Sequence, residues 1–216
     1  MRIITLIAFV SMFCFSCSKE VLTGNGNRQT ETRKPGSFTA VRNSGSNPVH
    51  IQHGEEYKVE IKGSSNLIPA FKSEVSNNTL HLGFERVNVR DNDIEVFITM
   101  PKVKEVSLSG SGKLDIAGAF PDQEIFRLRI SGSADVTVED RFNSEEVRAD
   151  ISGSGNANLE KINAQHAEVN ISGSGDVRIT SEETLKARIS GSGKVFYTGN
   201  ATVNSSISGS GKVIHF

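Results

Sequence analysis

A five-residue pattern recurs six times in this chain, and no other feature limits its fold as severely. It reads Leu108-Ser-Gly-Ser-Gly, Ile130-Ser-Gly-Ser-Ala, Ile151-Ser-Gly-Ser-Gly, Ile171-Ser-Gly-Ser-Gly, Ile189-Ser-Gly-Ser-Gly and Ile207-Ser-Gly-Ser-Gly. Its first serines, Ser109, Ser131, Ser152, Ser172, Ser190 and Ser208, are separated by 22, 21, 20, 18 and 18 residues. Apolar residues alternate on both sides, as Val106 and Leu108 before the first motif and Leu114 and Ile116 after it, or Val169, Ile171, Val177 and Ile179 around the fourth. A period of two means strand. Each repeat is therefore a strand, a small-residue corner and a second strand, followed by a looser polar stretch such as residues 139–146. A pair of helices does not fit into 18 to 22 residues that contain two glycines and several β-branched residues. The pattern predicts an all-β body, a right-handed parallel β-helix of about six or more coils, with coils about 4.8 Å apart.

The corner has its own chemistry. Glycine reaches positive φ without steric cost, so Gly110, Gly132, Gly153, Gly173, Gly191 and Gly209 are expected to turn the chain at the same place in every coil. Ala134 replaces the second glycine once, which predicts that the first glycine alone sets the turn. Serines in register would form two columns whose hydroxyls pass hydrogen bonds between coils, each worth about 0.5–1.5 kcal/mol. A nucleophile elbow also sets a serine between glycines, but it occurs once, between a strand and a helix, with a histidine and an acid elsewhere. Six copies without a fixed histidine make the serines structural, and no catalytic, cofactor or metal residue is assigned. The residue after each motif forms another column, Lys113, Asp135, Asn156, Asp176, Lys194 and Lys212. Its aspartates are too sparse for the calcium-binding β-roll, which repeats every nine residues or so.

Residues 37–100 lack the motif but read as strands separated by turn signals such as Asn43-Ser-Gly-Ser-Asn-Pro and Asn77-Asn78. They are expected to form an irregular N-terminal β region covering one end of the repeats at 101–216, since a solenoid end exposes unpaired strand edges. The opposite end finishes in Val213-Ile-His-Phe216 and offers an edge on which a second copy of the chain could dock. His50 and His53, three apart on a strand, point to opposite faces and do not converge on a metal.

At the N-terminus Arg2 precedes an apolar run from Ile3 to Phe15. These thirteen residues are too few to span a bilayer as a helix, which takes about 20, and read as a secretory signal. The run ends in Cys14-Phe15-Ser16-Cys17, which resembles the lipobox of bacterial lipoproteins and makes Cys17 the lipid-bearing first residue of the mature chain. Several acyl chains at about 0.8 kcal/mol per buried CH₂ hold such a protein on its membrane. Cleavage after residue 16 turns the net charge from −1 to −2, since Arg2 leaves 23 basic against 25 acidic groups. No strongly positive surface remains for nucleic acid. Residues 17–36, polar and without hydrophobic period, are expected to be a flexible tether.

Phe38-Thr-Ala-Val, Tyr57-Lys-Val-Glu-Ile, Glu74-Val followed by Thr79-Leu-His-Leu, Met100-Pro101 and the serial motifs together resemble the family named "putative auto-transporter adhesin, head GIN domain", over residues 37–216. The resemblance implies an all-β body with a β-helical C-terminal part, carried by lipoproteins of Bacteroidota, and an adhesive role. The leading expectation is a non-enzymatic lipoprotein anchored in the outer membrane, surface-exposed or facing the periplasm, that acts as an adhesin-like or protein/glycan interaction module. The alternatives are a carbohydrate-active β-helix enzyme or glycan binder, for which the absence of tryptophan and the presence of two tyrosines are unfavourable, and a self-assembling structural protein.

Overall fold

The computed structural model describes residues 21–216, so the signal segment and Cys17 lie outside the described residues. Every repeat forms the expected pair of strands, and the pairs stack in parallel as the coils of a β-solenoid. On one broad face Glu105–Gly110 pairs with Gln123–Gly132, which pairs with Phe142–Gly153, and residues 166–173, 184–191 and 202–209 continue the ladder. Past the corner a second ladder runs through Lys113–Ala117, Asp135–Val138, residues 156–159 and 176–180, Lys194–Thr198 and Lys212–His215. A narrow third side joins them, where residues 142–144 pair with 162–164. The six motifs are in strict register, Ser on Ser and Gly on Gly, and bound five complete turns.

Inward positions are the apolar ones, and they shrink along the rod. Phe120, Phe126 and Phe142 form an edge-to-face cluster in the early coils, whereas Ala149, Ala157, Ala164, Ala167 and Ala187 fill later ones. The coils shorten from 22 to 18 residues over the same stretch. The third side absorbs the change, with its register breaks falling between Leu159 and Asn163 and between Ala164 and His166.

The N-terminal region departs from chain order. Ala40–Ser44 lies directly against Glu105–Gly110, and Val49–His53 against Lys113–Ala117, all parallel. Thr79–Phe84 and Glu95–Met100 lie on the outer side of this same coil. The chain therefore builds an inner coil first, moves outward, and crosses back through Pro101–Lys104, where the Lys104 N–H donates to the Thr39 carbonyl (2.8 Å) and Val103 is buried. The expected cover is present: Phe71–Ser76 runs antiparallel to Thr79–Phe84 and Lys58–Ser64 antiparallel to Glu95–Met100, so both outermost parallel strands are paired. At the other end Ile207, in the column of the buried Ile189, is 41% exposed, with no further coil over it among the described residues.

The tether expectation fails for the described residues 21–36. Val21–Thr23 pairs with Asn88–Arg90, and Arg28–Arg33 adds an antiparallel strand to Lys58–Ser64. Arg33 pins that strand, with its guanidinium donating to the carbonyls of Ile68 (2.9 Å) and Phe71 (2.7 Å) and to the Ser73 hydroxyl (2.9 Å). The segment carries no hydrophobic period because all but Arg33 of its strand is exposed.

Candidate binding groove beside the serine corners

Each corner alternates in and out: Ile151 is buried, Ser152 faces solvent, Gly153 turns, Ser154 faces solvent and Gly155 is buried. The first glycine of every motif has φ between +119° and +135°, and Ala134 is absent from the positive-φ residues, as the substitution predicted. The turn brings successive coils close enough that a Cβ on Gly153 would collide with the Gly132 carbonyl. That carbonyl accepts the Ser154 N–H (2.9 Å), and the same bond joins each later corner to the one before it.

The second glycine also lies against the carbonyl of the preceding corner, as Gly155 does against Ala134, and meets a further obstacle. A Cβ on Gly155, Gly175, Gly193 or Gly211 would meet the Cγ2 methyl of Ile130, Ile151, Ile171 or Ile189 in the preceding coil, at 2.5–3.0 Å. By the same register the residue preceding Ala134 in the stack is Leu108, the one motif that begins with leucine, which has no Cγ2. The alanine thus stands where the β-branched neighbour is missing.

The serine columns are in register, but their hydroxyls make no hydrogen bond among the described residues; the coils are joined at the corner by backbone. The expected hydroxyl ladder does not form because both serines point outward, with their own N–H and C=O groups already used in the sheet. A ladder does form one position later. Asn156 Nδ2 donates to Asp135 (2.9 Å), Asn156 Oδ1 accepts the Asp176 N–H (3.1 Å), and Asp176 accepts the Lys194 N–H (2.9 Å). These aspartates are engaged with the next coil, and no group of three His, Cys, Asp or Glu fit to hold a metal occurs among the described residues. His50 and His53 indeed diverge. His50 stacks on Phe97 and lies between Asp115 (2.7 Å) and Glu95 (3.0 Å), while His53 meets the edge of Phe120.

The first serine column forms the floor of an open groove of about 820 Å³ that runs along the rod from Ser44 to Ser208. One edge is a column standing two residues before each first serine: Arg42, Ser107, Arg129, Asp150, Asn170, Arg188 and Ser206. Arg129 pairs with Glu105, and Arg188 with Glu168 (2.5 Å) and the Asn170 amide oxygen (3.3 Å). Asn170 in turn donates to Asp150 (2.8 Å). The hydrogen bond from Arg188 holds the Glu168 carboxyl below the usual carboxylate range against the opposing effect of burial. Arg42 has no ion pair among the described residues.

Two features of this groove escaped sequence reading. The edge column was visible as a constant offset of −2 from each first serine. Asn43-Ser-Gly-Ser-Asn47, whose composition signals a plain turn, is a seventh corner aligned on Leu108-Ser-Gly-Ser-Gly112, with Gly45 at φ +134°. Its asparagines replace the buried isoleucine and second glycine. Asn43 donates to the Asn47 carbonyl (3.0 Å), and Asn47 to the Ile94 carbonyl (3.0 Å) and Asn92 (3.2 Å).

The same fold occurs in solved structures of low identity. A putative adhesin from Bacteroides fragilis NCTC 9343 is 18% identical and superposes with a TM-score of 0.76 over 90% of this chain and 100% of its own. One from Parabacteroides merdae ATCC 43184 is 23% identical, with a TM-score of 0.63 over 91% and 99%. A putative lipid binding protein from Parabacteroides distasonis ATCC 8503 is 20% identical, with a TM-score of 0.58 over 91% and 100%. No curated protein matches the chain significantly. Residues 37–201, by far the greater part of the sequence, match one family directly. The chain belongs to the family described as "putative auto-transporter adhesin, head GIN domain".

Proposed function

We propose that the chain is a non-enzymatic, adhesin-like module of the cell surface, held on the outer membrane by lipid on Cys17, and that the serine-floored groove is its contact surface. The observation that carries this reading is the continuity of the groove: one small residue and one polar edge residue recur in every coil, which suits repeated weak contacts along an extended partner. The family and the adhesin names of the structural neighbours support an adhesive role. The lipid anchor rests on Cys17 behind the apolar run.

The test has two arms. Protease should cut the protein on intact cells, and Cys17→Ser should release it from the membrane fraction and abolish lipid labelling. Deleting the gene should reduce adhesion of the cells, with restoration by the wild-type chain and not by Cys17→Ser. Unchanged adhesion on deletion would sink the proposal.

A further inference from the structure

The groove is basic in a chain that is not. Three arginines and one aspartate line it, a net of +2, whereas the whole chain carries −1. The three guanidiniums stand in one column. Arg129 lies two coils from Arg42 and three from Arg188, which at the spacing of parallel strands is about 10 and about 14 Å. Arg42 is unpaired among the described residues, and Arg129 and Arg188 each meet a carboxylate from the adjoining row while their side chains stay 51% and 62% exposed. A guanidinium carries five donors, so each retains N–H groups for a second anion. Between them Asp150 and Asn170 hydrogen-bond each other, and Ser109, Ser131, Ser152, Ser172 and Ser190 present hydroxyls that the protein itself does not use.

We infer that the groove binds an acidic polysaccharide laid along the rod axis, its carboxylates meeting Arg42, Arg129 and Arg188 and its hydroxyls meeting the serine floor. This rests on the reading of the groove as the contact surface. Charge selects an anionic partner, and the guanidinium fork matches a carboxylate in two parallel hydrogen bonds. The floor selects a sugar over a peptide. A peptide recognised by strand addition needs a free sheet edge, but the groove lies on a sheet face whose backbone N–H and C=O groups are already paired with the coils on either side. A serine hydroxyl both donates and accepts, as does a sugar hydroxyl, and a serine stands on the floor in every coil from Ser44 to Ser208.

The test uses the full-length chain in detergent, with polygalacturonate as the probe and neutral dextran and poly-glutamate as comparisons. Polygalacturonate should bind, and dextran should not. Poly-glutamate should bind about tenfold or more weakly than polygalacturonate at equal charge, a difference of about 1.4 kcal/mol. The R42Q/R129Q/R188Q triple variant should lose about tenfold or more of the polygalacturonate affinity, and added salt should weaken the wild type more than the variant. Ser152→Leu, which fills the floor, should also weaken binding. Lys194→Gln with Lys212→Gln, on the other ladder, should not. Arg42→Gln alone breaks no ion pair within the described protein and should still lower affinity, which keeps the test valid if the triple variant is unstable.

Equal affinity for poly-glutamate, equal loss on removing Lys194 and Lys212, or no loss on removing the arginines would each overturn the assignment. If gene deletion abolishes adhesion while polygalacturonate fails to bind, the ligand class is wrong and the contact-module reading survives. If deletion leaves adhesion unchanged while polygalacturonate binds in the groove, the reverse holds.

Discussion

The two halves of this molecule reach the same coil geometry by different means. In residues 105–216 the register of each coil is set by its corner: a glycine at positive φ, a backbone hydrogen bond to the preceding corner, and small residues where coils approach. The contacts are local and repeated, and the interior can be as slight as alanine. In residues 21–104 the order of strands in space is not their order in the chain, and singular contacts hold them: buried Phe38, Phe71 and Met100, the Arg33 guanidinium on Ile68, Phe71 and Ser73, and Asn43 and Asn47 in the seventh corner. Repetition lets a coil add to its neighbour almost independently. A rearranged order needs side chains that fit in one way only.

That contrast predicts where the protein breaks most easily. Phe38 is fully buried beside Tyr57, at the entrance to the inner coil that both the cap and the rod use. Phe38→Ala should cost about 3–5 kcal/mol and, in urea denaturation, should shift the whole transition to lower denaturant. Retention of a stable cap with a melted rod, or the reverse, would show that the inner coil does not couple them. Gly153→Ala attacks the repeated half instead, at φ +126° and against the Gly132 carbonyl. It should cost about 1–3 kcal/mol, with hydrogen exchange rising most in the adjoining coils and least in residues 58–84. Loss spread evenly over both halves would refute nearest-neighbour behaviour in the rod.

The sequence discloses these halves unequally, for physical reasons. Ser109 through Ser208 and Gly110 through Gly209 announce the coil because identical steric demands recur at a readable period, and Ala134 even identifies which glycine turns the chain. The seventh corner stands 65 residues before Ser109, too far for the period to reach it, and Asn43 and Asn47 disguise it by meeting with hydrogen bonds what isoleucine and glycine meet by packing. Strand Arg28–Arg33 shows no hydrophobic alternation, since it gains its place from backbone pairing and Arg33. The groove is half legible: the serine column is plain, but nothing in the spacing shows that its hydroxyls face solvent and not each other, and the arginines at the −2 offset repeat in position without repeating in kind.

A finer test lies within the repeated half. Gly155→Ala places a methyl against both the Ala134 carbonyl and the Ile130 Cγ2 and should cost about 1–3 kcal/mol. Ile130→Leu removes the second obstacle, as Leu108 does naturally beneath Ala134, so the double variant should recover part of the loss. The difference from additivity is measured by a double-mutant cycle, where contacting residues couple by about 0.5–3 kcal/mol. Strict additivity would mean that the carbonyl alone excludes the side chain and that leucine at 108 has no bearing on Ala134.

The smallest effect expected is electrostatic, and it separates the halves by pH. The Glu168 carboxyl in the rod is held low by its hydrogen bond from Arg188. In the cap region burial raises that of Asp93, but the Ser64 backbone N–H (2.8 Å) and hydroxyl, with Arg28, outweigh it and leave it lowered. For a carboxyl whose folded pKa lies below its unfolded value, the unfolded state binds more protons on acidification. Both groups therefore stabilise fully above the ordinary carboxylate range, and both contributions fade as pH falls through it and then through the depressed folded values. Glu168→Gln should lower stability at neutral pH by about 1 kcal/mol or less, as befits a partly exposed pair, and should flatten the acid limb of the stability curve. Asp93→Asn should flatten it too, with the local loosening confined to the turn at Ser64, outside the rod. Acid limbs in both variants that parallel the wild type would place the acid sensitivity in other carboxylates.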